Sequence, residues 1–541
     1  MRTLGINWVW HDPAAAIVDN GQVVAMAEEE RFNRSKHSRN RLPKYSASWC
    51  LAFAGIDSSD LDAVAVGWDI PSMGATPFVD REDLFRGLFG DRAGQMRNVD
   101  LVWVDHHKAH AASTFYASSY SDAAVLVMDG SGEDQSISIF DATTDRGLRL
   151  VHQWGINCSL GAMYEAATVS LGFGLLECGK TMGLAPYSGS GLSRTLPFPE
   201  LLGQLHAGRS APNIDGTNYV GALKSWREYF STAFGDVTTP VELLERDSKA
   251  LAIAASAQRT VENVYRVLYA EALCSTGRDR VCLAGGVALN SVANGKLPGS
   301  CYVPPWAHDA GVALGAAWVL EPPARGGLEP AASPYLGRTI AETEGADAAR
   351  EAGLHVEQFS VSESVRQLTN GGIGAVAAGR AEIGPRALGH RSIIALPRPA
   401  AVHRRLNALK RREMWRPFAP VSTAEAGKRL WPSHGPREQY MVGNEATSGY
   451  ARAVMPAAVH VDGTTRPQVL EEESHLRSIL RELESGGHPG VLVNTSFNGR
   501  GEPIVDSAQD ALKAFQSMPL DFVILGNLLV TKTPRGTLAR A

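Results

Sequence analysis

The feature that most constrains the fold is a strand–turn–strand–turn–strand pattern that occurs twice. In residues 3–30 the apolar stretch TLGINWVW is followed by a polar turn at His11 and Asp12, by AAAIV, by an Asp-Asn-Gly turn and by QVVAMA. Residues 123–153 repeat this order, with the first turn at Asp129 and Gly130. The backbone N–H groups of such turns can bind an anion. The repeat predicts two similar α/β halves.

Two similar halves that close on a nucleotide are typical of the actin-like architecture, although many other α/β folds contain such hairpins. The clearest helix covers residues 248–274 and leads into the strand VCLA. A Pro- and Gly-rich stretch over 320–339 is typical of a linker. Because 541 residues exceed one hydrophobic core, we predict an actin-like domain over 1–340 and a second α/β domain over 345–541.

Composition excludes several classes of function. The chain is 44% hydrophobic and 20% charged, with a net charge of −5, which disfavours a general nucleic-acid or membrane-surface binder. Its N-terminus lacks the pattern of a signal peptide. The six cysteines include no CxxC pair, which favours reduced thiols. We therefore expect a cytoplasmic protein without nucleic-acid or membrane partners, and the sequence leaves open whether it forms a homo-oligomer.

The segment DHHKAH places two histidines at the spacing of metal ligands. His106 and His110 are four residues apart, so both imidazoles lie on one face of a helix. No glutamate stands between them as in metalloproteases, and paired helical histidines are also common as packing residues. Asp129 and Asp309 are candidates to complete the site. Two imidazoles with two carboxylates suit iron, zinc or manganese better than calcium.

Glycine-rich turns indicate a phosphate site. In LAGGVALN, Gly285 and Gly286 lie between a strand and a helix, where backbone amides can approach a phosphate and Asn290 can donate a hydrogen bond. In CGKTMGLAPY a second glycine turn is expected to present Lys180. Each turn alone is more often ordinary turn chemistry, so the argument depends on several occurring together.

Fixed cations concentrate in the second half of the chain. The segment GRAEIGPRALGHRSIIA (379–395) contains Arg380, Arg386 and Arg391, and Arg416 lies between Trp415 and Pro417. A solvated helix face is the ordinary explanation for HRRLNALKRR. A guanidinium in apolar surroundings, however, needs an anionic partner. Arginine binds phosphate bidentately, so we favour a small-phosphate pocket over nucleic acid.

Several ordered motifs extend this interpretation. His11-Asp12, EEERFNRSKH, HHKAHAAS, MDGSGE, GKTMGLA, AGGVALN and PPWAHDAGVALGAA resemble the TsaD-like domain of antibiotic carbamoyltransferases, the group that includes the tobramycin, cephamycin and nodulation-factor enzymes. The second half resembles their YrdC-like domain. The resemblance implies that carbamoyl phosphate and ATP form carbamoyl-adenylate in the second domain, and that the first domain passes the carbamoyl group to a hydroxyl of a small natural product.

The resemblance also implies site residues and cofactors. His11 is expected to act as general base, with Arg386, Lys410 and Arg416 as the other catalytic residues. The metal is expected to be iron, with magnesium as the alternative, held by His106, His110, Asp129 and Asp309. The expected substrate- and nucleotide-binding residues are Asp12, Gly130, Ser131, Gly132, Lys180, Gly285, Gly286, Asn290, Arg386, Lys410, Arg416, Arg466, Asn494, Ser496 and Arg500.

Alternatives and gaps remain at this level. An actin-like sugar kinase, a nucleotide-gated binding module and a tRNA threonylcarbamoyl-modifying enzyme are the competing interpretations. The acceptor itself is not encoded in any motif. We expect its pocket in the loops at 69–100 and 187–247, and a sugar-like acceptor is one interpretation of the chain length.

Overall fold

The computed structural model describes residues 1–74, 80–189, 191–199, 213–298, 301–324, 333–431 and 439–532. Parts of the predicted linker and of both predicted acceptor loops lie outside these ranges. The chain forms two compact units: the first contains Met1–Glu29 and His37–Ser333, and the second contains Glu30–Lys36 and Pro334–Ala541. The second unit is therefore discontinuous in sequence. None of the described helices combines the length and apolar character needed to span a bilayer.

The first unit contains two five-stranded sheets with the same topology. Their orders are β3-β2-β1-β4-β5 and β10-β9-β6-β7-β8. In each, the first strand pairs antiparallel with the second and parallel with the fourth. The strands are β1 (Arg2–Asn7), β2 (Ala14–Asp19), β3 (Gln22–Glu28), β4 (Ala63–Val66), β5 (Asp100–Trp103), β6 (Asp122–Met128), β7 (Gln135–Thr143), β8 (Gly147–Gly155), β9 (Val281–Ala284) and β10 (Cys301–Tyr302). The predicted duplication of an actin-like fold is confirmed.

Helices of the first unit cover these sheets. They are α2 (Lys44–Ala54), α3 (Arg81–Phe89), α4 (His106–Phe115), α5 (Leu160–Ser170), α6 (Cys178–Leu184), α7 (Tyr219–Phe234), α8 (Ser248–Thr276), α9 (Ser291–Gly295) and α10 (Ala310–Leu320), while α1 (Glu29–Asn33) spans the junction between the units. The stretch CGKTMGL is thus a helix and not the predicted turn. The two glycines of LAGGVALN lead into a 3₁₀ turn and then the short α9.

Helix α10 brings the parts of the first site together. It packs on β1 and α4 through small residues: a Cβ added to Gly315 would lie 1.8 Å from the carbonyl oxygen of Ala109, and one added to Gly5 would lie 1.8 Å from that of Ala313. The backbones can approach this closely only because these positions carry no side chain. The contact places the start of α10, preceded by Asp309, beside the histidines of α4.

The second unit is built on an eight-stranded mixed sheet of order β12-β22-β21-β13-β15-β20-β16-β19, so the predicted second α/β fold is confirmed. Its strands are β11 (Thr339–Ile340), β12 (His355–Gln358), β13 (Ile373–Ala377), β14 (Gly379–Arg380), β15 (Arg391–Ala395), β16 (Ala419–Ser422), β17 (Glu445–Ala446), β18 (Thr464–Thr465), β19 (Gln468–Val469), β20 (Val491–Ser496), β21 (Phe522–Leu525) and β22 (Leu528–Thr531). Its helices are α11 (Ala346–Glu351), α12 (Val361–Thr369), α13 (Ala401–Leu409), α14 (Ala424–Leu430), α15 (Gly449–Val454), α16 (His475–Ser485) and α17 (Ala508–Ser517). Apolar residues of β13, β15, β20 and β21 form its core with α17.

Candidate functional site

The first unit brings the four predicted metal ligands together. His106 and His110 lie on one face of α4, Asp129 follows β6, and Asp309 precedes α10. All four are buried, and their ligand atoms lie within 4.8 Å of one another. The Nε2 of His106 is 3.4 Å from Oδ2 of Asp129, and the Nε2 of His110 is 3.5 Å from Oδ1 of Asp309. Tetrahedral ligands about 2.0–2.2 Å from a zinc-like cation are separated by roughly 3.4 Å, so the spacing fits such an ion.

The surroundings of His106 fix the tautomer that a metal ligand needs. Its Nδ1 is 3.0 Å from the carbonyl oxygen of Gly67. Because a carbonyl can only accept, Nδ1 carries the proton and the Nε2 lone pair faces the two aspartates. The indole of Trp68 stacks on the ring at 3.8 Å between centroids, and the carboxylate of Glu133 accepts from the backbone N–H of His106 at 3.1 Å.

The two buried aspartates of this cluster favour a positive charge beside them. Burial alone would lower the pKa of His110, but Asp129 and Asp309 outweigh it and raise that pKa to about 9. Within the described residues, neither ring nitrogen of His110 has a hydrogen-bond partner. Two buried carboxylates beside an unsatisfied imidazole are the donor set of a divalent transition metal. The residues present therefore fit the predicted ion.

The predicted base, His11, lies beside this cluster in the loop after β1. Its Nδ1 is 3.1 Å from Oδ2 of Asp12 and 3.8 Å from Oδ2 of Asp309. The other carboxylate oxygen of Asp12 is 2.8 Å from Nδ1 of His37. The amide of Asn7 donates to the carbonyls of His11 and Asp12, at 3.4 and 3.2 Å. The turn is thus held from several sides.

The charge state of His11 depends on the aspartates around it. Burial lowers its pKa, but Asp309, Asp12 and Asp129 together raise it to about 10. A free base at neutral pH needs a lower value. A cation bound at the four-residue cluster would offset the charges of Asp309 and Asp129, and the pKa of His11 would then be lower.

The predicted phosphate turns have different environments. Gly285 has φ +88°, and an added Cβ would lie 2.2 Å from the carbonyl oxygen of Met128, so only glycine fits there. The N–H of Gly286 donates to Oδ1 of Asp129 at 2.7 Å, which directs it to the metal ligand. Gly130, Ser131 and Gly132 lie in the turn between β6 and β7, and the N–H of Gly132 donates to the carbonyl of Gln135 at 2.6 Å.

Two predicted nucleotide ligands are engaged elsewhere. The Asn290 amide donates to Oε1 of Gln258 at 3.0 Å, and its oxygen caps α9 through the N–H of Ala293 at 3.0 Å. Lys180 lies within α6, where its Nζ is 2.8 Å from a carboxylate oxygen of Glu177. The predicted glycine turn at Lys180 was wrong because the whole segment continues as helix.

The second unit gathers cations from three separate segments. Arg386 follows β14, Lys410 and Arg416 lie between α13 and β16, and Arg466 precedes β19. Burial and then the charge of Arg416 lower the pKa of Arg386 to about 10. Burial, and then Arg386, Arg412 and Arg416, hold the pKa of Arg466 well below its ordinary value. The Nε of Arg466 has no hydrogen-bond partner among the described residues.

Arg412 belongs to the same group, although the sequence did not single it out. Burial and the neighbouring Arg416 hold its pKa well below 12.5, and its guanidinium stacks on Phe418 at 4.0 Å. A carboxylate oxygen of Glu413 is 3.5 Å from Nη1 of Arg416. The signal in the sequence was the Lys-Arg-Arg-Glu run that follows α13, for which a solvated helix face is the ordinary explanation. We call Arg386, Lys410, Arg412, Arg416 and Arg466 the cation cluster.

Lys410 is anchored at the end of β20. Its Nζ donates to the carbonyls of Ser496 and Asn498, at 2.6 and 2.8 Å. The hydroxyl of Ser496 donates to Oδ1 of Asn498 at 2.8 Å. Arg500 is exposed and donates to the carbonyl of Arg411 at 3.1 Å, so it lies at the margin of this arrangement.

The three arginines of the segment 379–395 do not act together. Arg391 is fully buried and donates to backbone carbonyls, among them those of Ala378 at 3.1 Å and Arg338 at 2.9 Å. Arg380 donates to the carbonyl of Leu336. Both neutralise backbone dipoles and hold the fold, so among the three only Arg386 joins the cation cluster. Of the three, only Arg386 was predicted as a ligand, and that role stays a prediction.

The loop that carries Arg386 is clamped on its C-terminal side. The amide of Asn494 donates to the carbonyl of Ala387 at 3.2 Å, and that of Gln468 donates to the carbonyl of Leu388 at 2.7 Å. The Asn494 amide also donates a hydrogen bond to Oε1 of Gln468 at 2.7 Å. Asn494, predicted as a ligand, is therefore placed to position Arg386.

Comparison with known proteins covers both units. A family model described as carbamoyltransferase N-terminus matches residues 2–75 and 86–318, and one described as carbamoyltransferase C-terminus matches 365–532. An uncharacterized protein of Synechocystis is 32% identical over 98% of this chain and 96% of its own length. Nodulation protein NolNO of Sinorhizobium fredii is 32% identical over 97% and 80%, and nodulation protein U of Rhizobium fredii is 28% identical over 94% and 92%.

Proposed function

The chain belongs to the carbamoyltransferase family, and from that premise we propose that it carbamoylates a hydroxyl of a small natural product, using carbamoyl phosphate and ATP. It is an enzyme that transfers a carbamoyl group. The single observation that carries the finer proposal is the cation cluster of the second unit, in which burial and then neighbouring cations hold the pKa values of Arg466 and Lys410 well below their ordinary range. Bound anions would offset the repulsion among these cations.

The first step belongs to the second unit. Carbamoyl phosphate, ATP and one water give carbamoyl-adenylate, diphosphate and inorganic phosphate. Water attacks the phosphorus of carbamoyl phosphate and the P–O bond breaks, which releases inorganic phosphate and leaves carbamate. A carbamate oxygen then attacks the α-phosphorus of ATP and displaces diphosphate. Arg386, Arg416, Arg466 and Lys410 would neutralise the charge on the leaving groups. Arg412 supports this set because its fixed charge adds to the same field.

The second step belongs to the first unit. An acceptor hydroxyl attacks the carbamoyl carbon, the bond to AMP breaks, and the products are a carbamate ester and AMP. His11 would remove the hydroxyl proton, and Asp12 holds its ring. His106, His110, Asp129 and Asp309 would hold a divalent metal, for which iron is our expectation. When bound, that ion supplies positive charge to polarise an oxygen in the site.

Labelled ATP tests this proposal. With carbamoyl phosphate present, the enzyme should release AMP and diphosphate and should not transfer the γ-phosphate. An acceptor should gain about 43 Da, the mass of CONH₂ replacing H. A sugar kinase would instead form ADP and a phosphorylated sugar without carbamoyl phosphate. Release of ADP alone, in the presence of all substrates, would rule the proposal out.

A further inference from the structure

The N-terminal segment Glu30–Lys36 is part of the second unit, and its role there is not explained by the reaction. It comes from the motif EEERFNRSKH. Arg34 donates to the carbonyls of Pro503 and Ile504, at 2.9 and 2.8 Å, and is 3.5 Å from Asp510. The segment is thus bonded to the region that leads into α17.

Arg31 makes the most consequential of these contacts. Its side chain is buried, and its Nη2 donates to the carbonyl oxygen of Gly384 at 2.9 Å, across 353 residues of sequence. Gly384 lies two residues before Arg386 and has φ +104°, a backbone conformation open to glycine. The bond therefore fixes the N-terminal side of the loop that carries Arg386.

The C-terminal side of the same loop is fixed separately. Asn494 and Gln468 hold the carbonyls of Ala387 and Leu388. Arg386 lies between these two points of attachment, and its guanidinium is repelled by Arg416. Holding the backbone on both sides of Arg386 limits the freedom with which the two guanidinium groups could move apart.

We propose that Arg31 is a positioning residue for Arg386, so that a segment from the N-terminal end of the chain completes the phosphate pocket of the second unit. The bond to Gly384 holds the loop in the geometry in which Arg386 meets its anion. The inference rests on the proposed function, in which Arg386 binds carbamoyl phosphate. If Arg31 has this role, its removal weakens the binding of carbamoyl phosphate. The transfer of the carbamoyl group to the acceptor is not affected.

The test uses the full-length enzyme and diphosphate release dependent on carbamoyl phosphate. Arg31→Ala should raise KM for carbamoyl phosphate about tenfold, the equivalent of one charged hydrogen bond of about 1.4 kcal/mol, with a smaller fall in kcat for diphosphate release. Inorganic phosphate, as a competitive inhibitor, should weaken by the same factor. Arg31→Lys keeps the charge and one donor, so its KM should fall between those of Arg31→Ala and wild type.

Arg81→Ala is the matched control. Arg81 lies in the first unit and likewise donates to backbone carbonyls, those of Met96 and Val99 at 2.6 and 2.8 Å. It should lower thermal stability without changing KM. If Arg31→Ala and Arg31→Lys raise KM no more than Arg81→Ala, the inference is overturned.

Arg386→Met separates this inference from the proposed function. It should abolish diphosphate release; if it does not, the proposed function fails whatever Arg31 does. If Arg386→Met is inactive while both Arg31 variants have a wild-type KM, only the role of Arg31 fails. Should Arg31→Ala not fold, the Arg31→Lys variant decides, because it retains the buried positive charge.

Discussion

Replacing Arg386 by methionine should stabilise the ligand-free enzyme while removing its response to carbamoyl phosphate. The pKa of Arg386 falls from 12.5 to about 10 through burial and Arg416, which corresponds to an unfavourable contribution of about 3 kcal/mol at ~1.4 kcal/mol per pH unit. Because Arg386 is partly exposed, solvent screening reduces this, and we expect the variant to gain about 1–2 kcal/mol.

The sign of this effect follows from proton linkage. The pKa of Arg386 is lower in the folded than in the unfolded chain, so the unfolded chain binds this proton more tightly. The destabilisation is complete below about pH 10 and fades only as the pH rises toward 12.5. A comparison of wild type with Arg386→Met at about pH 7.5 therefore measures the full destabilisation caused by Arg386. For a unit of this size, 1–2 kcal/mol should appear as a rise of about 2–8 °C in Tm.

Arg391→Met is the matched control, because Arg391 lies in the same loop region and is also buried and cationic. Its guanidinium donates to backbone carbonyls, including that of Asp506 at 3.1 Å. Removing it leaves those acceptors buried and unsatisfied, which should cost about 3–5 kcal/mol. The two substitutions, five residues apart, should thus shift Tm in opposite directions.

Calorimetry with and without carbamoyl phosphate provides the measurement. At a concentration of 100 Kd, a ligand that binds only the folded state stabilises it by about 2.7 kcal/mol. Wild type should show this increase and Arg386→Met should not. If Arg386→Met is less stable than wild type in phosphate-free buffer, then Arg386 is a structural arginine like Arg391, and the cation cluster is not a binding site.

Three further predictions concern the first unit. His11→Ala should leave diphosphate release unchanged and abolish carbamoylation of the acceptor, as measured by the mass of the acceptor. Parallel loss of both reactions would contradict the role of His11 as base. Asp309→Asn should lower the bound metal, measured by elemental analysis after dialysis, and reduce acceptor carbamoylation about 10–100-fold, whereas full metal content would exclude Asp309 as a ligand. Gly315→Ala should destabilise by about 3 kcal/mol or more in denaturant unfolding, since its Cβ would lie 1.8 Å from the carbonyl oxygen of Ala109. Gly179→Ala, in helix α6 with nothing within 4 Å of the added carbon, should instead be neutral or slightly stabilising, and similar losses in the two alanine variants would refute the packing argument.

Local patterns in the sequence predicted the elements that depend on local spacing. The repeated hairpins appeared as two sheets of one topology, and the interval between His106 and His110 placed both rings on one helix face. The partner aspartates could be guessed only by residue type, because their approach depends on the close packing of α10. Periodicity reports which face is buried but does not report what lies against it.

The arginines show where sequence reasoning ends. Arg386 and Arg391 have the same chemistry and lie five residues apart, yet one is repelled by other cations and the other is surrounded by carbonyl oxygens. Two of those oxygens, on Arg338 and Asp506, come from positions 53 and 115 residues away in the chain. The same limit explains Asn290, whose partner Gln258 lies on α8, and Arg31, whose acceptor is 353 residues away.

Because the second unit consists of two separate stretches of sequence, its parts are synthesised at different times. Lys36 leaves the ribosome long before Pro334, the next residue of its unit; at about 5–20 residues per second the interval is roughly 15–60 s. Throughout that time the Arg31 and Arg34 side chains remain without the carbonyl acceptors they will later bind. If the gene were divided before Pro334, the downstream polypeptide would lack Glu30–Lys36. Its phosphate pocket would then be incomplete unless the upstream fragment were supplied.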